Sequence, residues 1–379
     1  MNILVGMESN TDMRLISTNV LKENMVIGRT IWNEAGHPLL QKNAVITKGI
    51  IHRLKHLNIK YVYIEDSISS GIEIEETVSP EVRNKAINNI QSSFKQVKEA
   101  KGKQASYLLD QQSKMIGSIV DELLNAISNN NEMLMILSDA YIYDEYLYQH
   151  SFQVTMYSIA IAKELGYSYE DQRLIGIGAL LHDVGKLVIP QEILKKPGKL
   201  TDEEFEEVKL HTRYGFDILR NLHSVSLLVA HCAFQHHERL DGSGYPRGLK
   251  GEEIHPYAKI IGVADVFDAI TSNRVYRSKK LPSEALSIIE ASSGIGFDEM
   301  VVEAFKRVIV KYPNGTVLQL SDMRRGVVAK QNPINAARPF VRVFEENGQL
   351  LAATYEISLV EHSNVHIVKE ELEYRLSTE

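Results

Sequence analysis

The sequence predicts a mainly α protein: an all-helical bundle, preceded by a small β-rich α/β unit and followed by a C-terminal β appendage. Three observations lead there. Helix-period apolar stripes run through the middle of the chain, and turn-separated β-rich runs occupy both ends. Between residues 150 and 265, histidines and aspartates recur at intervals of roughly thirty residues, the length of a helix plus its connection. The domain boundaries read as 1–70 for the N-terminal β-rich unit, 71–140 for linking helices, 141–312 for the helical domain and 313–379 for the appendage.

The elements follow in order. Short strands are expected around Arg14–Ser17 and Met25–Thr30, a turn at Ala35-Gly36-His37-Pro38, a helix over Thr47–Leu57 and a strand over Tyr61–Ile64. Residues 80–140 are helical, with Val82, Ile87, Ile90, Phe94 and Val97 on one stripe and Met115, Val120, Leu123 and Ile127 on another. Such stripes either pair two chains as a homodimer or pack within one. His150, Val154, Tyr157 and Ile161 follow i, i+4, i+7, i+11, which turns the histidine inward. Leu174–Leu181 is nearly continuous apolar residue, too short to span a bilayer, and predicts a buried helix ending at His182-Asp183, with Gly185 stopping it.

Thr201 and Glu204 have capping-box spacing and open one helix through Phe205, Val208, His211, Phe216 and Leu219. Val225, Leu228, Val229 and Cys232 form a stripe leading to His236-His237, and Asp241-Gly242-Ser243-Gly244-Tyr245-Pro246 is a turn-rich loop. Asp265 and Asp268 lie three apart on one helical face with Ile261 behind them. Beyond Pro313, strands are expected at Thr316–Leu320, Gly326–Ala329, Phe340–Phe344 and Leu350–Glu356.

Eight of the thirteen histidines fall between residues 150 and 255, several on inward faces where an unpaired polar group is costly. A single histidine on an apolar helix is ordinarily a hydrogen-bonded core residue, and His223, His231 and His255 read that way. The set His150, His182-Asp183, His211, His236-His237 and Asp265 reads instead as a polynuclear metal site. Imidazole nitrogen and carboxylate oxygen suit iron, manganese, zinc, cobalt or nickel rather than thiolate-seeking ions. Cys232 is expected in the core without a disulfide partner.

Residues 144 to about 300 resemble an HD-GYP domain, the branch of the HD phosphohydrolase superfamily that degrades the signalling molecule cyclic di-GMP. The resemblance rests on His182-Asp183-Val184-Gly185-Lys186, on His236-His237-Glu238 through Gly244-Tyr245-Pro246, and on Ala264-Asp265-Val266-Phe267-Asp268-Ala269 followed by Arg274-Val275-Tyr276-Arg277. It implies an HD-type bundle with His150, His182, Asp183, His211, His236, His237 and Asp265 as metal ligands, Asp183 shared between ions. Asp144 and Asp268 would stand behind them. Lys186, Arg274 and Arg277 would meet substrate phosphate, and Tyr245 would lie beside guanine with Gly244 allowing close approach.

Some members carry a further carboxylate one turn before the first histidine; here Tyr146 stands there, and Glu145 is about 100° away round the helix. Two divalent ions are therefore expected rather than three, iron or manganese by resemblance. Sharing Asp183, they would generate a bridging hydroxide for in-line attack, with Lys186 offsetting charge at the phosphate. The expected product is linear pGpG and then GMP. The alternatives are hydrolysis of another cyclic dinucleotide or nucleotide, and a non-catalytic adaptor binding signalling proteins through residues 80–140 or the β segments.

A net charge of −7 argues against polymeric nucleic acid as a partner. A small anion is acceptable, since Lys186, Lys195, Lys196, Lys199, Arg274, Arg277, Lys279 and Lys280 gather near the proposed site. One cysteine, no apolar run of about 18 residues and no basic-then-apolar N-terminus lead to the expectation of a cytoplasmic protein without a transmembrane segment.

Overall fold

Two units divide the chain, one built from both ends of the sequence and the other from residues 77–309. The computed structural model describes residues 13–32, 38–72, 77–99, 103–129, 146–196, 198–272 and 280–376.

In the first unit, β1 (Arg14–Ser17), β2 (Val26–Ile27), β3 (Ile31–Trp32), β4 (Pro38–Leu40), α1 (Lys48–His56) and β5 (Tyr61–Glu65) follow one another. The strands β1-β5-β2 form an antiparallel sheet, and β3 pairs β4. Thr47 caps α1 by accepting the Ile50 amide, a partner that the first helical turn otherwise lacks. The expected strand over Met25–Thr30 shrinks to two residues. Residues 35–37 of the expected turn lie outside the described residues.

The second half of this unit comes from the C-terminal segment. Strands β6 (Val317–Leu320), β7 (Arg325–Lys330), β8 (Phe340–Glu346), β9 (Gln349–Ser358) and β10 (Ile367–Glu370) make an antiparallel sheet of order β10-β6-β7-β8-β9. The two ends do not form the separate units that the sequence reading drew. The outer edge of β1 is covered by the C-terminal segment, Leu15 N donating to Gly315 O and Ser17 N to Leu372 O. Buried Arg14 pairs with Asp66 and donates to Tyr374 O at 3.0 Å.

The second unit is helical: α2 (Pro80–Glu99), α3 (Lys103–Gln111), α4 (Ser113–Asn129), α5 (Tyr146–Glu164), α6 (Tyr169–Leu181), α7 (Gln191–Leu194), α8 (Asp202–Lys209), α9 (His211–Leu219), α10 (Leu227–Gln235), α11 (Pro256–Thr271), α12 (Pro282–Ala291) and α13 (Glu299–Val308). Helix α5 lies at its centre, packed by α6, α11 and α13 and buried on every side from Gln149 to Ala162. Helices α12 and α13 were not anticipated. Their apolar faces, among them Leu286, Ile289, Val302 and Phe305, enter the same core. Among the described residues no helix is long and apolar enough to cross a membrane.

The stripes of α2 and α4 do not form a free face for a second chain. Ile87, Ile90, Phe94 and Val97, with Val120, Leu123 and Ile127, are buried in the core that also contains Phe152, Ile159 and Ile175. Phe94→Ala is therefore expected to cost about 3–5 kcal/mol, with a midpoint independent of protein concentration. A midpoint that climbs with concentration would return the stripe to a chain–chain interface.

Candidate metal centre

The predicted donors converge. The His182-Asp183 pair follows the last turn of α6; His150 comes from α5, His211 from the first turn of α9, His236-His237 from the end of α10 and Asp265 from α11. Asp183, His211, His236 and His237 each place a donor atom within 4.8 Å of the others, and so do His150, His182 and Asp183. The two groups share Asp183. Its Oδ1 lies 3.3 Å from His211 Nε2 and 3.8 Å from His236 Nε2, while its Oδ2 lies 3.4 Å from both His150 Nε2 and His182 Nε2. Asp265 straddles the groups as well, with Oδ1 3.2 Å from His150 Nε2 and Oδ2 3.6 Å from His237 Nδ1.

Hydrogen bonds fix which ring nitrogen faces inward. His182 Nδ1 donates to Ala179 O and His211 Nδ1 to Val208 O, both at 2.6 Å, and His236 Nδ1 donates to Ala233 O at 2.9 Å. His150 Nδ1 meets Asp268 Oδ2 at 2.7 Å, and Ser272 Oγ donates to the other Asp268 oxygen. With the proton on Nδ1, each neutral ring turns its Nε2 lone pair toward the centre. Burial holds the His182 and His236 imidazoles below their ordinary range and brings His211 down to about 4, so these rings are neutral near pH 7.

That arrangement is repulsive unless a cation shares it. His182 Nε2 and His150 Nε2 stand 3.3 Å apart, and His211 Nε2 and His236 Nε2 stand 3.4 Å apart. Asp183 Oδ1, fully buried, has no hydrogen-bond partner among the described residues. Burial alone would raise the Asp183 carboxyl; the Lys186 ammonium beside its Oδ2 leads the influences that hold it well below the usual range. Lone pairs and carboxylate oxygens aimed at common points fit divalent ions with nitrogen and oxygen preference.

Local structure explains how one turn serves two helices. The expected stop at Gly185 is not what glycine does here: α6 ends at Leu181, and Gly185 sits inside the short 3-10 turn Val184–Leu187. A Cβ on Gly185 would lie 1.9 Å from His211 O, so its absence lets this turn press against the His211 backbone. The single helix expected through His211 breaks at Leu210, where the Val208 and Lys209 carbonyls accept from the His211 ring and the Thr212 hydroxyl. The capping box at Thr201 and Glu204 is present.

The loop after His237 is fastened to its own chain. A Cβ on Gly244 would stand 2.4–2.5 Å from Arg239 N, Glu238 Cα and His237 O, so Gly244 permits close approach of the loop to its own chain. Tyr245 leans on His237, ring centroids 4.6 Å apart at 32°. Buried Glu238, whose role the sequence reading left unassigned, ties the loop down by accepting from Arg247 N and Leu249 N at 2.8 and 2.9 Å. In sequence it is one acidic residue among many.

Asp144, Arg274, Arg277 and Lys279 lie outside the described residues, as does the side chain of Tyr146. Lys196 pairs with Glu204 and Lys280 with Glu284, so part of the expected positive cluster is neutralised locally. Cys232 is buried, its thiol raised to about 12 by burial, as a core residue would be. His255 caps α11 by accepting from Tyr257 N, and His231 sits beside Gln235 and Phe216.

Residues 127–301 match the family model described as HD domain. A cyclic di-GMP phosphodiesterase of Pseudomonas aeruginosa is 39% identical over 226 residues, 60% of this chain and 54% of that protein. A cyclic di-GMP phosphodiesterase of Thermotoga maritima is 47% identical over 178 residues, 47% of this chain and 48% of that protein. A 3'3'-cGAMP-specific phosphodiesterase of Vibrio cholerae is 40% identical over 165 residues, 44% of this chain and 36% of that protein. The chain thus spans about half the length of the first two curated relatives, and less of the third. With the fold and the histidine–aspartate cluster, the family match makes residues 127–301 similar to an HD domain. Within that superfamily, residues 127–301 are similar to the cyclic-dinucleotide phosphodiesterases just named.

Two outcomes follow from this geometry. Asp268→Ala removes the acceptor that fixes the His150 ring, and metal affinity measured by chelator competition should fall about 10–100-fold. Gly185→Ala should force the 184–187 turn off His211 and cost about 1–3 kcal/mol in thermal unfolding, whereas unchanged stability would show that the turn has room.

Proposed function

We propose that the protein is a metal-dependent phosphodiesterase that opens cyclic di-GMP to linear pGpG and, by a second cut, releases GMP. One observation carries the reading: Asp183 presents one oxygen to each of two groups of buried imidazoles. That supports two divalent ions, one toward His150 and His182, the other toward His211, His236 and His237, with Asp265 between them; iron or manganese suits the donors. Ions held there supply Lewis-acid stabilisation of phosphoryl oxygens and a strong nucleophile at neutral pH.

The chain's own groups do the rest. Asp268 keeps the His150 proton on Nδ1, and three backbone carbonyls do the same for His182, His211 and His236. Lys186, one-fifth exposed and next to Asp183, stands where its ammonium can turn to a substrate phosphate oxygen. Glu238 holds the loop that keeps Tyr245 at the rim of the site. The cGAMP-specific relative gives a second reading, the same hydrolysis of a mixed guanine–adenine ring.

Purified protein loaded anaerobically with iron or with manganese should convert cyclic di-GMP to pGpG, resolved by chromatography. Asp183→Ala should lower the rate at least about 1,000-fold while the helical circular dichroism persists. Absence of product with both metals would contradict the proposal, and faster turnover of 3'3'-cGAMP would favour the second reading.

A further inference from the structure

Helix α8 places an exposed aromatic ring at the outer end of a row of rings that begins in the metal centre. His211 and His237 have centroids 5.1 Å apart, His237 and Tyr245 4.6 Å, and Tyr245 meets the edge of Phe205 at 6.3 Å and 80°. Tyr245 has one face against His237. Phe205 is 45% exposed, a large apolar surface left in water beside a polar site. One turn further along α8, Lys209 holds its ammonium 4.9 Å from the Phe205 centroid and 5.6 Å from that of Tyr245. Glu206 anchors this ammonium at 2.6 Å. The platform is tied to the metal centre through the backbone, because the Val208 and Lys209 carbonyls accept from His211 and Thr212.

We propose that Phe205 and Lys209 form the base-reading subsite, Phe205 stacking on a purine and Lys209 donating to the acceptor edge of guanine. The proposal rests on the nucleotide-hydrolase reading above and adds what selects the base. Stacking on an aromatic ring tolerates any base, since every base has a π-face. The edge discriminates: guanine presents two acceptors, O6 and N7, whereas adenine puts an amino donor in place of O6. An ammonium fixed over the two rings therefore favours guanine, and Phe205 supplies affinity without choosing between purines.

Calorimetric titration of the manganese-loaded protein with GMP, AMP and ribose 5-phosphate separates these contributions. Wild type should bind GMP more tightly than AMP, and both more tightly than the base-free ribose 5-phosphate. Phe205→Leu should weaken GMP and AMP about tenfold and leave ribose 5-phosphate unchanged. Lys209→Met should weaken GMP about tenfold and AMP little, flattening the preference. Both side chains reach solvent, so the variants should keep the wild-type thermal midpoint. Equal GMP and ribose 5-phosphate affinities in wild type, no loss of GMP affinity in Phe205→Leu, or an equal loss of all three ligands in Lys209→Met would each overturn the proposal. Hydrolysis assayed on the same samples keeps the two readings apart: base-selective binding without turnover contradicts the phosphodiesterase alone, and turnover without selectivity at these residues contradicts the subsite alone.

Discussion

Ring nitrogens and carboxylate oxygens are gathered in a buried cluster with the ring protons turned outward, and the rest of the helical unit is arranged around that constraint. Two pairs of imidazole Nε2 atoms face each other at 3.3 and 3.4 Å, and a buried aspartate oxygen between them has no donor among the described residues. In a low-dielectric interior such a cluster is strongly unfavourable by itself. Five segments of chain nevertheless converge on it, and hydrogen bonds on the side away from the centre fix His150, His182, His211 and His236. Lys186 supplies one positive charge, and divalent ions would supply the remainder.

Rigidity at the centre comes from close backbone packing. The turn that carries His182 and Asp183 lies against the backbone of His211, and the loop after His237 folds back on its own chain before Glu238 fastens it through two amides. The Gly185 turn thereby sets His211, and the segment of His237 sets Tyr245. Helix α5, buried on all sides, carries His150 into this frame, and Asp268 on α11 locks its ring. Metal ligands held in this way undergo little rearrangement when a phosphate arrives, which is the condition under which fixed charges aid a reaction most.

Much of this was legible in the sequence because the signals were strong and local. The inward position of His150 followed from a helical stripe, the α8 start from Thr201 and Glu204, and the His182-Asp183 position from an apolar run that ends there. What escaped depends on contacts between distant segments. No periodicity shows that Gly185 touches His211, that Gly244 serves the loop backbone, that Asp265 reaches both groups, or that Lys209 lies over Phe205 and Tyr245. The union of the two chain ends into one β unit was hidden for the same reason, since the amides of Leu15 and Ser17 find their acceptors about 300 residues or more further on.

The central claim is that the buried cluster exists to hold two cations. Counting metal per chain tests it most directly: protein stripped with a chelator, reloaded with manganese under anaerobic conditions and freed of excess, then analysed for elemental content against absolute protein concentration. The account predicts two ions per chain, falling to one or none when His182 and His236 are both replaced by alanine. A cluster that retains its fold yet binds no manganese, iron or zinc above a trace would contradict it.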